Sequence, residues 1–296
     1  MLQRDTSGSA HIACMMGMVS SRSLLLVDAD PAVQELLRDL LSREDRSIQS
    51  VEDGREAISY LRETPCDLIL AGQGRNGFDQ FQLLRRARAI RPETKVILAG
   101  ETDPAAAVRA VRERAFSYMH KPLAEQPVAD LVQQALQSDS WQNDLRLVSS
   151  RPEWIALDIR CKLSAADRAT QFLRELESDL PQHAREDIAA AFRELLLNGI
   201  EHGAKGDPKK RVRASILRTE RSVIVHLHDP GKGFSLDLLP HAAISNPDDS
   251  PVRHVEFREE HGQRPGGFGI LMTRNMVDEM LYNECGNSVL FVKYLK

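Results

Sequence analysis

Aromatic residues are scarce, at 5% of the chain: nine Phe, four Tyr and two Trp. That leaves little material for a surface that stacks bases. Neither sign of charge dominates, since 39 Lys and Arg face 43 Asp and Glu for a net charge of −4. Direct nucleic-acid binding calls for a basic footprint that the chain as a whole does not carry. No apolar run approaches the roughly 18–20 residues of a membrane span. Cysteines are few and far apart, at Cys14, Cys66, Cys161 and Cys285. No pair has zinc-ligand or redox spacing, which fits a reduced, cytoplasmic compartment. Residues 1–21 lack the basic start and longer apolar core of a signal peptide and read as a disordered leader.

What the chain does have is core material. Hydrophobic residues make up 42% and charged residues 28% of 296 positions, enough for two domains. From residue 23, short apolar runs alternate with amphipathic stretches. Strands are expected at 24–27, 48–51, 68–71, 96–99 and 116–119. Helices are expected at 31–41, 55–62, 79–90, 104–114 and 124–137. Pro31 stands where a helix start tolerates it, and Val33, Leu36, Leu37, Leu40 and Leu41 follow at helical spacing. Such alternation implies a parallel sheet covered on both faces, with ligands at the carboxyl ends of its strands. At those ends stand Asp28, Asp30, Gly72, Ala99 and Lys121.

Three segments carry a resemblance: Leu26-Val27-Asp28-Ala29-Asp30-Pro31, Asp67-Leu68-Ile69-Leu70, and Tyr118-Met119-His120-Lys121-Pro122-Leu123. Together they resemble the response-regulator receiver domain, a flavodoxin-like (βα)5 fold, over residues 22–123. The resemblance implies an acceptor carboxylate after the third strand, an acidic pair for Mg²⁺, a hydroxyl on the fourth strand and a lysine. Here the acceptor position is Gly72, one acid is replaced by Ala29, and the hydroxyl position is Ala99. Only Asp28 and Lys121 remain. Glycine offers no oxygen to phosphorylate, so a pseudo-receiver without a phospho-acceptor is expected. Asp79 is the one shifted acceptor to consider, and Lys121 has a salt bridge to Asp28 as its alternative role. Residues 124–152 keep apolar positions at roughly helical spacing until Ser149-Ser150-Arg151-Pro152, and read as a helical linker. Its apolar stripe fits either a dimerisation seam or burial against the receiver.

The second half holds different chemistry. A strand is expected at 155–161, an amphipathic helix at 165–180 and a longer helix at 185–202. Within the last, Glu194 and Asn198 are four residues apart and share one face. Phe192, Leu195 and Leu196 point to the core. A carboxylate and an amide so placed can polarise a hydroxyl and hold a hard cation; the same pair also fits a solvated face. A strand at 222–228 runs into Asp229-Pro230-Gly231-Lys232-Gly233-Phe234. Further on, Gly266-Gly267-Phe268-Gly269-Ile270 precedes a helical stretch at 271–280. Glycines permit close backbone approach, and a helix N-terminus attracts phosphate. The long polar segment 236–265 reads as a lid. The basic run at 205–213 fits a solvated turn or a docking patch.

This ordered trio resembles the GHKL ATP-binding fold, above all its branch of small anti-sigma-factor serine kinases. The resemblance covers 153–296 and implies an α/β sandwich with ATP between a mixed sheet and its helices. By the same resemblance, Glu194 is the general base and Asn198 a ligand of Mg²⁺. Asp229 accepts a hydrogen bond from the adenine amino group. Gly231 and Gly233 let the nucleotide approach, and Gly267 and Gly269 line the phosphates. Arg264, just before this last loop, fits a contact to the γ-phosphate or a solvated arginine, and His202 a helix-end packing or capping residue. The implied activity is a protein serine/threonine kinase that phosphorylates an anti-sigma-factor antagonist in a partner-switching pathway with a sigma factor. A homodimer is compatible with it. The alternatives are a protein that sequesters its partner with ATP but without turnover, and a histidine-kinase relative. The latter needs a phosphorylatable histidine before the ATP domain, and none occurs from 121 to 181.

Overall fold

A computed structural model describes residues 21–74, 78–151, 153–233 and 269–295. Five parallel strands come first: β1 (Arg22–Val27), β2 (Arg46–Val51), β3 (Leu68–Ala71), β4 (Lys95–Gly100) and β5 (Ser117–His120), in the order β2-β1-β3-β4-β5. Central strands with helices on both faces must be apolar throughout. Leu24, Leu25 and Leu26 of β1 and Leu68, Ile69, Leu70 and Ala71 of β3 are accordingly buried. The connecting helices are α1 (Pro31–Leu41), α2 (Gly54–Glu63), α3 (Gln80–Ile90) and α4 (Pro104–Arg112). Each starts on an aspartate, Asp30, Asp53, Asp79 or Asp103, whose carboxylate accepts a backbone N–H of the first turn. Asp79 thus caps a helix.

The helical linker expected at 124–152 is three different pieces. The helix α5 (Glu125–Gln137) sinks Val128, Leu131, Val132, Ala135 and Leu136 into the receiver core. A single 3₁₀ turn follows at Trp141–Asn143. Then β6 (Leu145–Arg151) pairs with β7 (Trp154–Arg160) and belongs to the second sheet. Leu145 and Leu147 turn inward and Arg146 outward, a period of two that overrides the helical spacing.

The second sheet adds β8 (Arg211–Arg218), β9 (Ser222–His228), β10 (Glu279–Tyr282) and β11 (Ser288–Tyr294), in the order β10-β11-β9-β8-β7-β6. A mixed sheet is implied by the resemblance, but every described pairing here is antiparallel. The basic run at 205–213 ends inside β8, where the buried Val212 and Ala214 alternate with Arg211 and Arg213. The helix expected at 271–280 stops at Met276, because Glu279–Tyr282 pairs with β11. Two helices, α6 (Leu163–Leu176) and α7 (Gln182–Asn198), form the layer over the sheet, and α8 (Gly269–Met276) packs against α7. Phe192, Leu195 and Leu196 are buried as expected. Among the described residues, no helix is long and apolar enough to cross a membrane.

The end of α6 also buries Glu177, whose carboxylate lies 3.3 Å from Arg218. Burial pushes its carboxyl up to about 7, against the pull of Arg218. A carboxyl higher in the folded than in the unfolded chain binds more protons when folded, so stability falls as pH rises between the two values. From about pH 4.5 to 7 the chain should lose up to about 3 kcal/mol from this group. Glu177→Gln should flatten that slope in urea titrations run at several pH values.

Candidate functional site

The second sheet and α7 enclose a cavity of about 820 Å³. Its lining includes Glu194, Asn198, Asp229, Gly231, Gly233 and Gly269, so residues from three separate motifs meet in one place. Beyond Asn198, α7 widens into a π-helical turn, Gly199–Gly203. Such turns are rare and concentrate at functional sites. This one brings the chain against Asp229, which follows β9. A Cβ on Gly203 would lie 2.1 Å from Asp229 Oδ1, and a Cβ on Gly231 2.7 Å from the same atom. Only glycine fits at either place. The Gly231 N–H donates to Asp229 Oδ1 at 2.8 Å, and burial pushes the carboxyl up.

The turn between β10 and β11 forms the far wall. Asp229 N donates to Asn287 O at 3.0 Å, and Asn287 Nδ2 donates to Gly231 O at 3.2 Å. Gly233, with φ of 78°, sits so close that a Cβ would lie 1.7 Å from the carbonyl oxygen of Cys285. From β10, Tyr282 also lines the cavity; burial, with the charges of Asp229 and Glu194, pushes its hydroxyl up to about 12. At the other end, a Cβ on Gly269 would meet Glu194 Oε1 at 1.7 Å, so the carboxylate lies directly against the first residue of α8.

Sequence reasoning missed Gly203 as a wall, although Glu201-His202-Gly203 was visible, and missed Asn287 and Tyr282. Tyr282 sits on β10 and Asn287 in the turn before β11, a hairpin that was not foreseen. His202 is exposed on the rim and does not pack as expected. Gly267, Arg264 and the expected lid at 236–265 lie outside the described residues.

The receiver's own site is closed by an ion pair. Lys121 Nζ donates to Asp28 Oδ2 at 2.8 Å, and the Asp30 N–H donates to Asp28 Oδ1 at 3.0 Å. Asp28 is buried, and a Cβ on Gly72 would lie only 1.8 Å from its Oδ2. The carboxylate therefore fills the space where an acceptor side chain would begin. Ala99 is buried and brings no hydroxyl. Asp79 is held by the Phe81 N–H at 2.9 Å and by Arg109 at 3.3 Å. Acetyl phosphate or beryllofluoride should leave residues 23–123 unmodified in intact-mass and peptide-mass measurements, and a mass shift there would contradict this geometry.

Comparison with known proteins agrees with this division. Residues 24–133 match the response regulator receiver domain family, and residues 159–293 match the histidine kinase-like ATPase domain family. The chain is 29% identical over 124 residues, 42% of its length, to the transcriptional regulatory protein GlrR of Escherichia coli, of which it covers 28%. It is 33% identical over 103 residues, 33% of the chain, to the Fimbriae Z protein of Salmonella typhimurium, of which it covers 49%. The chain thus spans less than half the length of these two relatives. Among solved structures it resembles a signal receiver domain of an HD domain-containing protein from Pseudomonas fluorescens, with 26% identity and a TM-score of 0.37, covering 39% of this chain and 94% of that one. This chain joins a receiver domain to a histidine-kinase-like ATPase domain.

Proposed function

We propose that the ATPase domain binds ATP with Mg²⁺ and transfers the γ-phosphoryl group to a serine of a protein partner. In this reading the chain is a regulatory protein serine/threonine kinase. Its substrate is an anti-sigma-factor antagonist, and a sigma factor is the second partner of the switch. The observation that carries the reading is the convergence of Glu194, Asn198 and Asp229 on one cavity. The cavity's volume is in the range of small-molecule sites, and its glycines let the main chain pack directly against Asp229 and Glu194.

The residues present suit the group. Asp229 would accept a hydrogen bond from the adenine amino group, held in place by Gly231 and the Asn287 turn. Asn198 offers an amide oxygen to Mg²⁺. Among the described residues no cluster of three or more His, Cys, Asp or Glu could cage a metal. Mg²⁺ here would therefore draw its other oxygens from phosphates and water, as that ion commonly does. When bound, it supplies neutralisation of phosphate charge. Glu194, one turn before Asn198, would take the proton of the attacking serine hydroxyl. Transfer of this kind depends mainly on positioning and charge. Gly269 lines the phosphate end, and Gly267 and Arg264 would complete it. The receiver domain, without an acceptor, would be a docking or regulatory module.

Glu194→Ala should lower phosphoryl transfer by about 10²–10⁴-fold while leaving partner binding intact, as read with labelled ATP and purified candidate antagonists. A wild-type chain that binds ATP and transfers to none of them would favour sequestering without turnover. Gly203→Ala should push Asp229 aside and weaken nucleotide binding by at least about tenfold, or 1.4 kcal/mol, in a fluorescent-nucleotide titration.

A further inference from the structure

The strand β5 is the edge of the receiver sheet, and edge strands leave main-chain groups open to other chains. Here one helix of the ATPase domain takes up two of them. Arg168 Nε of α6 donates to the Phe116 carbonyl at 3.1 Å, just before β5. At the strand's other end, Glu175 Oε2 accepts from the His120 N–H at 3.0 Å and contacts His120 Nδ1 at 2.8 Å. Arg168 and Glu175 are two helical turns apart, about 10 Å, so α6 lies along the strand. Glu175 Oε1 accepts from Gln171 at 2.8 Å, which leaves both oxygens occupied.

Each side of this joint leads to a site. On the receiver side, the next residue is Lys121. Its N–H donates to Gly100 O at 2.7 Å, and its ammonium holds Asp28. The end of β5 is therefore clamped between Asp28 and Glu175. On the other side, α6 buries Ala165, Ala169, Phe172 and Leu176 in the core shared with α7. Arg193 of α7 reaches back to Asp167 of α6 at 2.8 Å, and it directly precedes Glu194. Close-packed interiors transmit a displacement instead of absorbing it.

We propose that this joint sets the position of Glu194 and Asn198. Glu175 is a positioning residue of the nucleotide site, and the Asp28–Lys121 pair holds the joint in place of its lost phosphoryl chemistry. The inference rests on the reading that the cavity takes ATP. Its signature is a difference between two conditions, because a shift of α7 moves Asn198 directly and reaches Asp229, which follows β9, only through the π-turn at Gly203. Nucleotide affinity should therefore fall more with Mg²⁺ present than with Mg²⁺ chelated.

The test titrates a fluorescent ATP analogue into the full chain, with Mg²⁺ or with chelator, for wild type, Glu175→Ala, Glu175→Gln and Lys121→Met. Circular dichroism and thermal melting check the fold of each. Glu175→Ala and Lys121→Met should lose about fivefold in affinity with Mg²⁺ and less than about twofold without it. Glu175→Gln, which retains an oxygen for the His120 amide, should recover most of the loss. Should Glu175→Ala fail to fold, Lys121→Met decides alone. Folded variants with wild-type affinity in both conditions, or with equal losses in both, overturn the inference. A wild-type chain that binds no nucleotide overturns the ATP reading, and this inference with it.

Discussion

Arg168 carries a charge into a place that water scarcely reaches, with 5% of its surface exposed. A buried ion costs several kcal/mol unless it is paired and fully hydrogen-bonded. The guanidinium donates to the carbonyls of Phe116 and Trp141. It also lies over both of their rings, 4.6 and 5.2 Å from the centroids. Its counter-ion is Asp144, 3.7 Å away and completely buried, which Lys162 meets at 2.9 Å and Arg160 at 3.9 Å. Burial lowers Arg168 to about 10, so it remains a cation near neutral pH. Phe116 belongs to the receiver, Trp141 and Asp144 to the connecting segment, and Arg168 to the ATPase domain. Pulling the halves apart would strand a charge on one side and bare carbonyls on the other.

That constraint changes what the receiver domain is for. Its α4 and β5 are already engaged by α6, so this face is occupied within the chain. A receiver that signals by phosphorylation needs an acceptor and a surface free to change partners. This one has glycine at the acceptor position and part of that surface occupied by α6. In the proposal made above it serves as a buttress for the helical layer over the ATPase sheet.

The receiver fold was legible because its strands are continuous apolar runs and its helices begin at Asp or Pro. The candidate cavity was legible because Glu194, Asn198, Asp229 and the glycines sit in short, ordered motifs. What escaped notice has physical reasons. The β6 segment continues an apolar spacing begun in α5, and Arg146 and Arg151 disguise a strand as a solvated end. In β8 the alternation of Arg211, Val212, Arg213 and Ala214 hides in a basic run. Arg168 and Glu175 occupy what reads as the polar face of an amphipathic helix. Their partners, Phe116 and His120, lie about 50 residues away in another domain, which local periodicity cannot register. Tyr282 and Asn287 depend on a hairpin neither of whose strands was foreseen.

Gly72 bears on whether one substitution could supply an acceptor. With no side chain there, the Asp28 carboxylate occupies the space and pairs with Lys121. Replacing the glycine by aspartate would no longer recreate an acceptor, because the newcomer would collide with a carboxylate that is itself buried and paired. An acceptor at this position would need Asp28 to move and Lys121 to find another partner.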